Sequence, residues 1–502
     1  MRRNAWPALA GVLATAFGVA LAELLAAATR PQAGPLVAVG GAVIDAAPTP
    51  VKEFAVRTLG THDKPVLLAT IGLALLLFTA LIGVLSVRRR WVAVAGAALF
   101  GLAGAVAAAL RPAAAGYDVV PSIVGAAVAG GTLLFLLHRS FRPDPAEPVR
   151  TGFDRRALLR AAAVVAGGSV VAGGTSEVVK RVRGGAVTRS RAALRLPAPA
   201  DPAKPLPTGT APGFVTANAD FYRVDTALTV PSIDVASWRL RVHGMVGREA
   251  EFSMDDLLAR PLIERDVTLN CVSNEVGGRY IGTARWLGVP LAPLLRELGV
   301  EPGADQVVAR SADGMTIGTP VETVLDGRDT MLCVGMNGEP LPLEHGFPVR
   351  MLTPGLYGYA GACKWLTEIE LTTFAAFDAY WVRRKWGARG PVKTASRIDR
   401  PAPFAKLTAG TLTVAGVAWA QGRGITSVEV RVDDRPWVKA DLLPAPSSDT
   451  WVQWRYDWPA TAGLHTLSVR ATDGTGAVQT EQRATPFPDG ATGWHTITAT
   501  VD

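Results

Sequence analysis

Apolar residues are spread unevenly along this 502-residue chain, and the unevenness divides it into distinct textures. Before residue 180 they form long runs. Residues 7–29, 66–87, 91–110 and 119–138 each reach roughly the 20 residues an α-helix needs to cross a bilayer. A fifth run, 157–178, is built from alanine, glycine and valine and is a weaker span. The stretch 36–60 starts apolar, as LVAVGGAVIDAA, then turns amphipathic at Lys52, Glu53 and Arg57. Residues 179–213 are proline-rich, and RLPAPADPAKPLPTGTAPG reads as a semi-extended linker.

From Phe214 the pattern shortens. SMDDLLARPL predicts a helix with Ser253 as N-cap and Asp255 and Asp256 in its first turn. GVPLAPLLRELGV predicts another helix, ending at Gly299, and LTEIELT predicts a strand. There is no βαβ alternation and no P-loop or Rossmann glycine pattern, so this part is α+β. From about residue 405, TLTVAGVAWA, ITSVEVRVDD, WVQWRYDW, HTLSVRATD and WHTITATVD alternate apolar with polar positions. Turns such as DDRP, TAGL and DGTG separate them, which predicts an immunoglobulin-like β-sandwich. The expected organisation is multi-domain: a transmembrane α-helical region over 1–178, a linker over 179–213, an α+β domain over 214–374 and the sandwich over 375–502.

The formal charge of +8 does not point to nucleic acid, because much of the arginine flanks apolar runs. Arg2 and Arg3 precede the first span, Arg88–Arg90 follow the second, and Arg139, Arg142 and Arg150 follow the fourth. All three clusters fall on one side, taken as cytoplasmic, when 36–60 lies on the outer surface and the chain crosses five times. That makes it a multi-pass cell-membrane protein in contact with lipid, its soluble half on the extracytoplasmic side. FDRRALLRAA, with Arg155 and Arg156, resembles a twin-arginine export signal, a route for folded, cofactor-loaded domains. Ordinary flanking arginines are the plainer alternative. The run Lys180, Arg181, Arg183, Arg189, Arg191 and Arg195 lies on the side that would be outside, against the charge rule. No histidine falls inside a span (His138 ends one), so a histidine-ligated haem in the bundle is not expected. Glu23 is the one carboxylate within a span, fitting either a functional group or a helix contact.

The cysteines are Cys271, Cys333 and Cys363, with no CxxC among them, which argues against a zinc ribbon or a covalently attached haem. A Cys333–Cys363 disulfide and two packing thiols both fit the count. Cys271 ends a half-buried strand in TLNCVSNEVGG and faces a glycine-rich loop. It can be a small buried hydrophobe, a nucleophile or a soft metal ligand. In HGFPVRMLTPGLYGYAGACKWLTEIEL, His345, Arg350 and Lys364 converge within twenty positions around glycine turns. Singly each reads as a solvated charge; together they read as an anion clamp suited to a phosphate.

Four ordered stretches, TLNCVSN, ARWLGVPLAPLL, MNGEPLPLEHGFPVR and PGLYGYAGACKWL, resemble the sulfite-oxidase family of molybdopterin enzymes, over about 214–502. The resemblance implies that Cys271 is the thiolate on molybdenum and that His345, Arg350 and Lys364 clamp one pterin. It further implies cofactor contacts from Tyr222 and Asn218 in NADFYRVDT and from Ser311 in SADG. It makes 214–374 the molybdopterin-binding catalytic domain and the trailing sandwich a dimerisation domain, so a homodimer is an expectation. With no haem domain, electrons are expected to pass to a separate partner or a quinone. The sequence departs from sulfite oxidases after the cysteine, where an arginine pair gives way to SNEVGG, with Glu275 and Val276. A carboxylate there would repel an oxyanion, so the expected substrate is a small neutral or organic S- or N-oxide undergoing oxygen-atom transfer. Sulfite oxidation is the alternative, and a non-catalytic membrane-anchored adhesion or sensor protein is the reading from another class.

Overall fold

The computed structural model describes residues 2–48, 51, 54, 58–59, 63–111, 113–140 and 155–502. Contacts divide the chain into two units, one of Met1–Val187 with Thr226–Ser232 and one of Thr188–Asp225 with Ile233–Asp502. Lys52, Glu53, Arg57, Arg142 and Arg150 lie outside the described residues, as do the side chains of Arg2, Arg3, Arg139, Arg155 and Arg156.

The first unit is built from α1 (Arg2–Ala28), α2 (Pro35–Ala46), α3 (Asp63–Ser86), α4 (Trp91–Ala109), α5 (Val120–Ser140) and most of α6 (Arg155–Ala193). Five of these, all but α2, are long and apolar enough to cross a membrane. Small residues bring the helices into backbone contact: a Cβ on Gly18 of α1 would lie 2.3 Å from the Gly125 carbonyl of α5. Glu23 is ion-paired with Lys180 at 3.2 Å, and Arg30 with the fully buried Asp118 at 3.2 Å. Arg183 donates to the carbonyls of Ala28 (2.6 Å) and Thr29 (3.1 Å), which α1 leaves unpaired at its end. Helix α6 runs to Ala193, since alanine and arginine sustain a helix until the first linker proline, Pro197.

The second unit holds four sheets. In one, Leu240–Gly244 runs parallel to Leu366–Thr372, which pairs antiparallel with Gln306–Ser311. In another, Ile263–Asn270, Ile281–Pro290 and Met331–Met336 lie side by side, with Arg350–Leu352 on the far edge. Leucines from the short helix Leu291–Leu298 fill the core that these two sheets share. The other two sheets are centred on Gly410–Trp419 with Val452–Ala460 and on Gly463–Asp473 with His495–Val501. Alternation in Ile425–Val432 sends Val428, Val430 and Val432 into their common core against Trp454 and Trp458. The outer edge of Ile263–Asn270 is closed by residues from this region: Thr268 N donates to Asp449 O (2.9 Å) and Gln421 Nε2 to Thr268 O (2.9 Å).

Asp473 ties that region together. Its buried carboxylate accepts from Thr394 Oγ1 (2.7 Å), Arg423 Nε (2.9 Å) and Thr475 Oγ1 (2.6 Å). Burial alone would raise its pKa, but bonds from Thr475, Thr394 and Arg423 outweigh it and hold the carboxyl well below the usual range. Asp473→Asn is therefore expected to lower stability by about 2 kcal/mol at pH 7. A depressed folded pKa stabilises above the unfolded value, near 4, and the benefit fades as pH falls through the folded value. The gap between the two melting temperatures should hold from pH 7 down to about pH 4 and narrow below it; a gap that stays constant well below pH 4 would contradict the assignment.

Candidate active site

Cys271 is positioned by the strand Ile263–Asn270, which pairs with Ile281–Pro290 until Asn270 meets Ile281. There the chain leaves the sheet: Cys271 N donates to Tyr280 O (2.9 Å) and Asn274 N to Cys271 O (3.1 Å). The buried Asn274 side chain closes the loop by accepting from Tyr280 N at 2.8 Å. The residue as a whole is 9% exposed. Burial pushes its pKa up, against hydrogen bonds from Ser273. Such a thiol stays protonated until a metal displaces the proton.

On one side stands the clamp. Arg350, opposite Cys333 in the strand pairing, carries a buried guanidinium whose Cζ lies 5.3 Å from the centre of the Trp286 ring. Its Nη1 donates to His345 O at 3.3 Å, and its Nε has no partner among the described residues. Burial lowers its pKa, while Tyr222, Cys333 and Cys363 act to raise it. A buried cation without a carboxylate is destabilising until an anion joins it. His345 donates from Nε2 to Asn218 O at 2.9 Å, the carbonyl fixing the tautomer. Burial, with Arg350 and Lys364 nearby, lowers its pKa to about 4, so this member of the trio is neutral at pH 7. Lys364 pairs with Asp225 at 2.8 Å and stands 4.4 Å over the Trp365 ring; burial brings its pKa down to about 8 despite Asp225.

The entry segment completes this side. Phe221 packs edge-on against Trp286 (5.8 Å) and His345 (5.6 Å) and stacks on Tyr222 (5.3 Å). The Tyr222 hydroxyl feels both Cys271 and Arg350: burial first, then Cys271, raise its pKa, and Arg350 opposes them. Asn218 contributes its backbone, while its side chain holds a neighbouring loop, donating to Glu339 (2.6 Å) and accepting from Asn337 (2.8 Å). Ser311 pairs with Leu366, close in sequence to Lys364, yet its hydroxyl accepts from Asp313 N at 3.4 Å within its own turn. Cys333 and Cys363 are buried and free rather than bonded to each other.

Other contributors went unselected in the sequence. Asp225, one of two aspartates in the same NADFYRVDT stretch, anchors Lys364; nothing in the sequence marks it out from Asp220. Asn270, beside the cysteine, has a buried Oδ1 without a partner among the described residues. Tyr357 is buried in one apolar cluster with Val272, and its pKa is pushed up to about 12, by burial first and by Cys271 and Asp489 in the same direction. A separate group, His243, Glu368 and Glu370, has metal-ligand chemistry, but Arg310 bridges both carboxylates.

The oxidoreductase molybdopterin binding domain family matches residues 227–381. Sulfite oxidase of Gallus gallus is 30% identical over 322 residues, covering 54% of this chain and 69% of that protein. Mitochondrial sulfite oxidase of Mus musculus is 31% identical over 285 residues, covering 48% of this chain, which spans 51% of the mouse protein. The chain thus spans about half the length of the mammalian relatives it matches. The sulfane dehydrogenase SoxCD from Paracoccus pantotrophus shares the fold, with a TM-score of 0.51 at 24% identity over 59% of this chain and 85% of that one. The Arg350 Nε–H, which suits an anion, the Asn270 Oδ1, which can accept from a pterin N–H, both unpartnered among the described residues, and the soft buried thiol of Cys271 together fit an anionic pterin bearing a thiophilic metal. The chain belongs to the sulfite-oxidase family and is an oxidoreductase whose cofactor is molybdenum held by molybdopterin.

Proposed function

We propose that this protein oxidises sulfite, or a closely related sulfur oxyanion, and passes the electrons to a separate acceptor or a quinone. In such a reaction sulfite gains an oxygen supplied by water, and two electrons and two protons leave. Bound molybdenum supplies the oxygen-atom transfer. Cys271 ligates it as thiolate, Arg350 and Lys364 balance the pterin's phosphate, neutral His345 fixes the entry segment through Asn218, and Tyr222 offers a hydroxyl between clamp and cysteine. The five apolar helices anchor the enzyme in the membrane, with the soluble half read as extracytoplasmic. Residues 214–374 form the catalytic domain, and 375–502 an immunoglobulin-like module suited to dimerisation.

The observation that carries the choice of substrate is the position of Glu275. The sequence expectation of a neutral S- or N-oxide rested on a carboxylate beside the metal. Glu275 is instead exposed, on a turn in which Gly278 N donates to its backbone carbonyl at 2.8 Å. Water screens a charge in that position, so the objection to an oxyanion falls away. The relatives named sulfite oxidase favour the same substrate. Detergent-solubilised protein of measured molybdenum content should reduce ferricyanide when given sulfite. A parallel assay follows reoxidation of reduced viologen by dimethyl sulfoxide or trimethylamine N-oxide. Turnover of the oxides with none of sulfite would overturn the reading.

A further inference from the structure

Cys271 has a second side, facing away from the clamp. Tyr357 opens the turn that follows Pro354 and Gly355, and its backbone is fixed by Tyr357 N donating to Gly390 O (2.8 Å) and Val392 N to Gly355 O (3.0 Å). Its ring belongs to one apolar cluster with Val272, the residue after the cysteine, and with Ile281 and Trp386. The next residue, Gly358, lies against the cysteine's other neighbour: a Cβ there would be 3.9 Å from Asn270 O and 3.7 Å from the Tyr222 hydroxyl. The turn thus lies beside Asn270, and two tyrosines feel the Cys271 thiol: Tyr222, which also feels Arg350, and Tyr357, which shares an apolar cluster with Val272.

The Tyr357 hydroxyl is directed by its surroundings. Lys393 N donates to it at 3.4 Å, and its own proton has no acceptor among the described residues. It occupies room that only glycine leaves, since a Cβ on Gly490, at φ +90°, would come within 2.4 Å of it. Residues 393 and 489 also line a cleft of about 460 Å³, with Thr394, Arg423, Gln479 and Thr480 among its walls. The Lys393 ammonium makes no ion pair among the described residues and donates to Gly490 O at 2.8 Å, whereas Arg423 is tied to Asp473. The hydroxyl thus lies against Lys393, in the wall of this cleft, with a hydrogen to donate.

We propose that Tyr357 is a specificity-determining residue that donates a hydrogen bond to an oxygen of the sulfur oxyanion entering by the cleft between 390–394 and 478–492. This rests on the sulfite reading above. A donor without an acceptor in a buried site favours ligands that bring oxygen to it and disfavours those that do not.

The test is Tyr357→Phe in the full-length, metal-loaded protein, with Gly490→Ala as a second variant that pushes a methyl into the space of the hydroxyl. Both should retain wild-type molybdenum and pterin. KM for sulfite should rise about 10-fold with kcat within about 3-fold. Affinity for inorganic sulfate, measured by calorimetry without turnover, should fall by a similar factor. Unchanged KM and unchanged sulfate affinity at full loading would overturn the proposal, as would loss of molybdenum from Tyr357→Phe, which would make it a cofactor-retaining residue. If wild type proves inactive on sulfite, the sulfite reading fails separately. Sulfate affinity then decides alone, and weaker binding by Tyr357→Phe still supports the donor, while equal or absent binding overturns it.

Discussion

Replacing Cys271 with serine is expected to remove turnover, by about 1000-fold or more, from a protein that still folds. Removing a partner behind a metal ligand commonly costs 10–100-fold, and loss of the ligand itself should exceed that. The substitution is nearly isosteric. The backbone at this position is set by bonds to Tyr280 and Asn274 that do not involve the sulfur. The melting temperature should therefore stay within a few degrees of wild type. Pterin should also remain, because Arg350, Lys364 and the entry segment that would hold it are untouched. Cys333→Ser and Cys363→Ser are the controls. Both place a hydroxyl in a fully buried position and should lower stability by about 1–3 kcal/mol, while turnover per bound molybdenum stays near wild type. Turnover, metal and pterin content and melting temperature, measured on all three, separate ligand from packing residue. Full activity in Cys271→Ser would refute the ligand assignment.

The residues that define this site differ in how visible they are from sequence. Patterns set by nearest neighbours were legible. Ser253 caps its helix, with Asp256 N donating to its hydroxyl (3.2 Å) and Ser253 N to the Asp256 carboxylate (2.8 Å). LTEIELT is the strand Leu366–Thr372, and the alternating segments near the C-terminus are strands. Boundaries set by tertiary contact were not legible. In GVPLAPLLRELGV the first three residues belong to the strand Ile281–Pro290, and the helix starts only at Leu291. Gly288 crosses Met331–Met336 so closely that a Cβ would lie 2.4 Å from Leu332 O, a pairing that local periodicity does not encode. Charge state was hidden in the same way. His345, Arg350 and Lys364 look alike as basic residues in sequence, yet burial and partners leave one neutral, one without a counter-ion and one tied to Asp225. Glu275 misled because proximity in sequence to Cys271 was read as proximity in space, and the turn at 275–278 sends it to solvent.

Arg350→Met is expected to yield a protein without cofactor that is at least as stable as cofactor-free wild type. The guanidinium has one hydrogen bond, to His345 O at 3.3 Å, a Trp286 ring at 5.3 Å and no ion pair among the described residues. Replacing a buried charge by an apolar side chain of similar reach removes a desolvation penalty, and such changes have been worth about 1–4 kcal/mol. Cofactor-free Arg350→Met should therefore melt at or above the temperature of cofactor-free wild type. The bound pterin brings the anion that repays the penalty, so the same substitution should drop molybdenum and pterin occupancy below about one tenth of wild type under equal expression. Arg350→Lys keeps the charge but loses the planar fork, and should fall between the two. The opposed signs are what make the experiment informative. A residue that merely held the fold would lose stability and cofactor together, whereas a residue kept for an absent anion gains the one and loses the other. Wild-type occupancy in Arg350→Met would exclude Arg350 from the clamp, leaving Lys364 as its charged member.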